Sequence, residues 1–347
     1  YHIINRLESL GGELNAYTTK EKICFYSAVL DDHLDKAVEL LTDITFNSTF
    51  PDNQIDRERQ VILEEMAMYK DSPEDAIQDQ MDQLVFAGHQ LGENILGTQE
   101  SVNGFTQRDF LDFVSENIDT SKIVFSSVGN YSMKKLKRII DKYFENIEVK
   151  TSDRIRSFTS SYQKQEIVER RDITQAHVGI GCQSLDYHSK EKIPFFVLNN
   201  ILGGSAMNSR LNLSLREKHG LVYSVDSNVI SFSDVGMFSI FFATEPSNLN
   251  KSMNLVRKEI EKLAEVDLGS KQLQTAKDQI KGQLAMSEEN NQSYMLMMAK
   301  SILDYDRIES LEEVFDKIDF IKRAQLRDLA TRLLDYDNMS VLKYLPN

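Results

Sequence analysis

The stretch PDNQIDRERQVILEEMAM, residues 51–68, decides how this chain is organised, because its pattern occurs twice. The second copy is LGSKQLQTAKDQIKGQLAM, residues 268–286, in which Ile280 occupies the position of Ile62. Both copies have the apolar spacing of a helix, and the first opens with a Pro–Asp pair that is typical of a helix N-terminus. The recurrence indicates a duplicated structural unit.

The segments that precede the two helices repeat as well. HLDKAVELLTDITFN (33–47) matches SNLNKSMNLVRKEIEKL (247–263), and both have one apolar helical face. Before them, residues 13–32 and 220–244 alternate apolar and polar positions around turn residues, as paired strands do. Strand meanders followed by helices favour an α+β fold over a doubly wound parallel sheet. The sequence therefore predicts two duplicated α+β domains, each a mostly antiparallel sheet packed against helices.

The length of 347 residues suits two domains of roughly 150 to 200 residues each. Apolar periodicity is lost in KTSDRIRSFTSSYQKQ, which is rich in Ser and Thr. We therefore predict an N-terminal domain at 1–150, a linker at 151–165 and a C-terminal homologous domain at 166–347. A strand is also expected in SKIVFSSVGNY, residues 121–131, near the end of the first domain.

Composition excludes some classes of partner. The chain has 40 basic and 54 acidic residues, a formal net charge of −14, and its basic residues are dispersed, which argues against nucleic-acid binding. No apolar run approaches the ~20 residues that span a bilayer, so no membrane partner is expected. Cys24 and Cys182 lie in strand-like apolar runs, which predicts free thiols in a reducing compartment. We therefore expect a cytoplasmic location, with the periplasm or an organelle as alternatives.

The chain opens with YHIINRLESLGG, residues 1–12, whose helical apolar period ends at two glycines. Neither an initiator methionine nor a signal peptide stands at its start. We expect that this helix begins before Tyr1 and that an upstream segment exists.

Two acids distinguish the first copy of the repeated helix. Glu58 and Glu65 are seven residues apart, which turns one from the other by about 20° and places them on one helical face. The second copy has Ala276 and Gln283 at these positions, so the fold does not require the acids. A solvated acidic face explains them most simply. The functional alternative is a metal ligand with a supporting carboxylate.

Three stretches resemble one family: RLESLGGELNAYTTKE (6–21), ERQVILEEMAMYKDSPED (58–75) and LGGSAMNSRLNLSLREKHGLVYSV (202–225). They are similar to the pitrilysin/insulinase and mitochondrial-processing-peptidase family of zinc metallopeptidases, the inverzincins, and the similarity extends along the whole chain. Members carry an H-x-x-E-H motif on a helix, with two zinc-binding His and a general-base Glu. A distant Glu supplies their third protein ligand.

The resemblance implies that Glu65 is a zinc ligand and that Glu58 is a supporting carboxylate of the catalytic site. It also implies one Zn²⁺ per intact protein. No two histidines have the i, i+4 spacing of the motif, since the closest pair, His177 and His188, is eleven residues apart. Two zinc ligands and the general base are missing from residues 1–347, so we expect the chain as given to hold no catalytic zinc and to be inactive alone.

The family residues that contact the substrate are all present in this sequence. LREKHGLVYSV carries Arg216 and Tyr223 at the family's R-x6-Y spacing. The resemblance implies that both catalytic side chains donate to the scissile carbonyl oxygen as negative charge develops on it. Spacing alone favours a simpler explanation, in which the Arg lies at a helix end and the Tyr packs in a strand.

LNAYT, residues 14–18, resembles the family's edge strand, whose main chain pairs with a bound peptide by β-augmentation. The backbone makes these contacts, so side-chain identity says little about specificity. The residues implied in substrate binding are Leu14, Asn15, Ala16 and Tyr17.

Two functions remain in competition. The first is a zinc-dependent endopeptidase of processing-peptidase type that cleaves short or unfolded peptides in an enclosed chamber, as a homodimer or a paired subunit. The second is a non-catalytic peptide-binding or structural partner subunit of the same family. The presence of Glu58, Glu65, Arg216 and Tyr223 together favours the first. An unrelated acidic helical binding module is disfavoured by the duplication.

Overall fold

The computed structural model describes residues 2–152 and 162–347. The described part of the first half forms seven α-helices and one hairpin. The hairpin predicted within 13–32 and the helices predicted at 33–47 and 51–68 are therefore confirmed. In chain order the elements are α1 (His2–Glu8), β1 (Glu13–Thr18), β2 (Ile23–Ala28), α2 (Leu34–Phe46), α3 (Asp52–Asp71), α4 (Pro73–Val85), α5 (Gln99–Gly104), α6 (Gln107–Asn117) and α7 (Met133–Phe144).

The described part of the second half forms five strands, six α-helices and a π-helical turn at Asn212–Glu217. The strands make one sheet in the order β3-β7-β4-β6-β5, in which β3 and β7 are parallel and the other pairs are antiparallel. The fold is α+β, as predicted. The elements are β3 (Glu166–Arg171), β4 (Ala176–Ser184), α8 (Lys192–Gly203), β5 (Val222–Ser231), β6 (Gly236–Thr244), α9 (Leu249–Glu265), α10 (Ser270–Glu288), α11 (Asn291–Tyr305), α12 (Leu311–Asp319), α13 (Arg323–Leu333) and β7 (Ser340–Pro346).

The strand predicted at 121–131 does not form, and that prediction is wrong. Residues 123–128 have no regular secondary structure and join no ladder with another described segment. Their apolar side chains pack instead: Phe125 lies against the cluster formed by α2 and α7, with its ring edge-on to Phe144 at 5.8 Å between centroids. Alternating apolar residues identify a buried face, but only a neighbouring backbone makes a strand.

Compact packing divides the chain into two units. Most of the predicted linker at 151–165 lies outside the described residues. Residues 65–94 belong to unit 2, although the predicted N-terminal domain includes them. Unit 1 consists of Tyr1–Glu64, Ile95–Ile155 and Glu288–Ile308, and unit 2 consists of Glu65–Asn94, Arg156–Ser287 and Glu309–Asn347.

Helix α4 belongs to unit 2 because it packs on one face of the five-stranded sheet. Met81 is fully buried there, and a Cβ added at Gly179 of β4 would lie 2.9 Å from its Cε atom. Gly181 would meet the same side chain, so the two glycines admit the helix. Gln183 also donates to the Val85 carbonyl at 3.2 Å. The boundaries at 1–150 and 166–347, which rest on the duplication, remain a prediction.

The opposite sheet face of unit 2 carries the main core. Val178, Ile180 and Cys182 alternate with the glycines of β4 and face α8, α9 and α13. The Cys182 thiol is free and buried, and burial raises its pKa to about 12. Cys24 is free and half-buried, and burial raises its thiol pKa too. The prediction of two free thiols is confirmed, and neither has the low pKa of a reactive cysteine.

Unit 1 has a smaller core. Its buried apolar residues include two clusters: Leu34, Val38, Leu136 and Ile139 in one, and Leu7, Ala37 and Leu40 in the other. An ion pair of 2.7 Å between Lys22 and the buried carboxylate of Asp304 attaches the end of the hairpin to α11. Every helix among residues 2–152 and 162–347 is too short or too polar to cross a membrane.

Candidate functional site

Helix α3 carries both predicted acids. The amides of Gln54 and Ile55 donate to the Pro51 carbonyl at 2.8 and 3.1 Å, which starts the helix, and it continues unbroken to Asp71. Glu58 is exposed and Glu65 is half-buried. Within the part of the chain that the structure describes, neither carboxylate has a hydrogen-bond or ion-pair partner. Both are therefore free to bind an added group.

Arg59, which sequence reasoning missed, holds the N-terminal part of this helix, the part that belongs to unit 1. Its guanidinium donates to the carbonyls of Val102 at 3.0 Å and Phe105 at 2.7 Å, and it pairs with Asp56 one turn earlier. In the sequence, the only indication was the spacing of Asp56 three residues before Arg59, which allows an ion pair on a helix. No residue of α3 is buried, and even Val61 is 54% exposed. The helix is therefore fixed at its N-terminal half by a polar clamp.

The described residues do not by themselves fit a catalytic zinc ion. Such an ion takes three protein ligands and leaves one position for water. No group of three His, Cys, Asp or Glu side chains in residues 2–152 and 162–347 could hold a metal. Glu65 can supply one carboxylate.

The loop that presents Arg216 has an unusual backbone. In the π-helical turn the Lys218 amide donates to the Leu213 carbonyl, five residues back, at 3.0 Å. The His219 ring Nδ1 lies 2.7 Å from the Ser214 carbonyl oxygen and donates to it. π-Turns occur frequently at functional sites. No motif in the sequence predicts this π-turn.

Gly220 ends the turn and leads into β5. Its φ of +59° is a left-handed conformation that favours glycine, and its amide donates to the Arg216 carbonyl at 2.9 Å. The chain reverses there, so that Arg216 and Tyr223 come together although six residues separate them. The guanidinium carbon lies 5.7 Å from the centre of the Tyr223 ring.

A bulge at the start of β5 turns Tyr223 outward. Val222 pairs with Thr244 and Val225 pairs with Phe242, so three steps along β5 match two along β6. The extra residue leaves Tyr223 and the next residue exposed in succession, where a regular strand would alternate. The Tyr223 side chain is 88% exposed. Its hydroxyl has no partner in the described residues, so it can donate to a ligand.

Strand β1 offers main-chain groups along one edge. Only β2 pairs with it in the described chain. Thr19 donates to Lys22 at 2.8 Å, and this pair continues the register in which Tyr17 faces Cys24. Because bonded pairs alternate in an antiparallel ladder, Asn15 and Tyr17 bond to β2. The backbone groups of Leu14 and Ala16 therefore point to the free edge.

Comparisons with known proteins identify the family of this chain. A family model described as insulinase (peptidase family M16) matches residues 1–99, and one described as the peptidase M16 inactive domain matches residues 104–280. An uncharacterized zinc protease of Bacillus subtilis, YmxG, is 31% identical over 335 residues, which are 96% of this chain and 81% of the relative. The chain belongs to the M16 peptidase family. The family resemblance inferred from the sequence is thus confirmed.

Two solved structures share this M16 fold. The peptidase M16 inactive domain of Pseudomonas fluorescens has a TM-score of 0.91 at 18% identity, and the match covers 99% of this chain and 83% of the other. A protease from Helicobacter pylori has a TM-score of 0.86 at 18% identity and covers 98% and 83% of the two chains. At this identity the likeness concerns the fold.

Proposed function

We propose that this M16 chain works in a zinc-dependent endopeptidase that cleaves short or unfolded peptides. The chain binds the extended substrate and stabilises charge on the scissile carbonyl. The observation that carries the proposal is the pairing of an almost fully exposed Tyr223 with Arg216. The bulge keeps this aromatic ring in water, so the protein does not gain the stability that burying the ring would give. A purely structural role does not explain that exposure.

Arg216 and Tyr223 would act on the same oxygen atom. A guanidinium and a phenol can both donate hydrogen bonds, and the guanidinium adds a positive charge. A carbonyl oxygen that becomes negative in the transition state gains more from these donors than the ground-state carbonyl does. The pair would therefore raise turnover more than substrate affinity.

Strand β1 would hold the substrate backbone. Leu14 and Ala16 present their amide and carbonyl groups along an edge that no other described strand uses. Main-chain pairing requires an extended peptide and reads little of its sequence. Unfolded segments meet this requirement and folded proteins do not.

Glu65 would be the chain's contribution to the metal, and Glu58 would support it from the same helical face. When bound, zinc would supply a polarised water. The experiment is cleavage of a quenched-fluorescent unstructured peptide by the intact protein as isolated from its source. We expect chelator-sensitive cleavage, with a tightly folded protein of similar composition left uncut. Cleavage that survives complete zinc removal would overturn the proposal.

A second function is favoured by one observation: the described residues contain no group of three metal-ligating side chains. In this alternative the chain is a peptide-binding partner, working as a homodimer or beside a catalytic subunit. Stoichiometric peptide binding by an intact protein that carries no zinc and cleaves nothing would select it.

A further inference from the structure

A cavity of about 410 Å³ in unit 2 lies between the start of α10 and the start of α13. It shares no lining residue with the proposed peptide site. Its walls are Asp267, Ser270, Leu273, Gln274, Lys277, Lys322, Arg323 and Ala324.

The cavity has an excess of positive charge in a protein whose net charge is −14. Three of its lining residues are basic and one is acidic. The acid, Asp267, already forms an ion pair with Arg327 at 3.1 Å. Lys322 is exposed and has no partner in residues 2–152 and 162–347, and Arg323 makes one long bond of 3.4 Å to the Leu268 carbonyl.

The third basic residue, Lys277, is buried with 6% of its surface exposed. Its ammonium donates to the carbonyls of Asp319 and Ile321, both at 2.8 Å. The nearby carboxylate of Asp319 is engaged by Lys281 at 2.9 Å. Lys277 thus has dipolar partners and no counter-charge among the described residues. A buried cation without an anion is costly, and an anion in the cavity would lower that cost.

We propose that this cavity binds a phosphate-type oxyanion, either free or as the phosphoryl group of a small organic molecule. Lys322, Arg323 and the third ammonium proton of Lys277 supply charge-assisted donors. The Ser270 hydroxyl and the Ala324 amide, which lies in the first turn of α13 and has no intrahelical acceptor, are neutral donors on the same walls. Five donors match the oxygen atoms of a phosphate better than the two oxygen atoms of a carboxylate.

The test is isothermal titration of the chain with inorganic phosphate, glycerol phosphate and acetate, all at one ionic strength. We expect saturable one-to-one binding of at least one of the two phosphate compounds. Acetate should bind much more weakly or not at all. If glycerol phosphate binds more tightly, the site is assigned to an organic phosphate. If inorganic phosphate binds more tightly, the site is assigned to the free ion. Acetate binding as tightly as either would overturn the proposal.

The variant Lys322→Ala/Arg323→Ala removes two exposed side chains, so the fold is retained, and it should weaken phosphate binding by about tenfold or more. The matched control is Lys258→Ala/Lys262→Ala, which removes two exposed charges from α9 in the same unit. An equal loss in both variants would mean diffuse attraction rather than a site. Absence of saturable binding to the unmodified chain would equally overturn the proposal.

Discussion

The guanidinium of Arg216 lies over the ring of Tyr223, with 5.7 Å between the guanidinium carbon and the ring centre. Three backbone irregularities produce this pairing: a π-turn, a glycine at positive φ and a bulge. Each departs from regular helix or strand structure. All three lie between Asn212 and Val225, and together they set the position of the two side chains on which the proposed function depends.

Replacing Tyr223 by Phe should lower the turnover number of the intact protein about 10²- to 10³-fold, with a smaller change in KM. Under the proposed function, the hydroxyl would donate only to an oxygen that becomes negative in the transition state. Steady-state kinetics on a quenched-fluorescent peptide measures this. Tyr294→Phe, which removes a hydroxyl from α11, is the control. Unchanged turnover with a raised KM would make Tyr223 a ground-state binding residue.

Replacing Glu65 by Gln should remove most zinc from the intact protein while the fold remains. An amide oxygen is a weaker metal ligand than a carboxylate, and the matching position of α10 already holds Gln283. Metal analysis of the purified variant measures the loss. Glu64→Gln, a change at the adjacent exposed position, should keep its zinc. Full zinc content in the Glu65 variant would contradict the assignment.

Gly220→Ala should destabilise the protein by about 1–2 kcal/mol, because an L-residue at positive φ is strained. No atom lies within 4 Å of the added Cβ, so the effect is conformational. Gly282→Ala, in the middle of α10 and equally free of contacts, should instead stabilise by about 0.5–1 kcal/mol. Chemical denaturation of both variants compares them. Effects of the same sign would show that the backbone around Gly220 differs from the one described.

Ala16→Pro should weaken binding of an extended peptide and leave the hairpin intact, because the lost amide faces the free edge. Tyr17→Pro should instead destabilise the hairpin, since its amide bonds to β2. Fluorescence anisotropy with a labelled unstructured peptide and circular dichroism separate the two effects. Equal affinity of Ala16→Pro and the unmodified chain would move the peptide site away from β1.

Unit 1 should open at a lower denaturant concentration than unit 2. Its buried apolar clusters are two small ones, whereas one large cluster and a second, smaller one stabilise unit 2. Hydrogen exchange at increasing denaturant, read by mass spectrometry, should show amides of α2 and α7 exchanging before those of β4 and β6. Simultaneous exchange would indicate a single cooperative unit.

Much of the local structure could be predicted. The hairpin at 13–32, the helix at 33–47 and the shared face of Glu58 and Glu65 depend on periods of two and 3.6 residues, which neighbouring residues encode. The strand expected at 121–131 does not form, because a strand also depends on a partner backbone, which these periods do not encode. The cavity around Lys277 was also beyond the sequence, because its walls come from segments about fifty residues apart.

The sequence by itself determined the duplication, the amphipathic helices, the α+β class and the family, since these follow from periodicity and from motifs read along one chain. Only the tertiary structure decided that α4 packs on the sheet of unit 2, where Gly179 and Gly181 leave room for Met81. The tertiary structure alone also decided that Tyr223 faces solvent beside Arg216. The physical reason is the same in both cases. A pattern states which face of an element is apolar, whereas long-range packing and backbone irregularities select what that face meets.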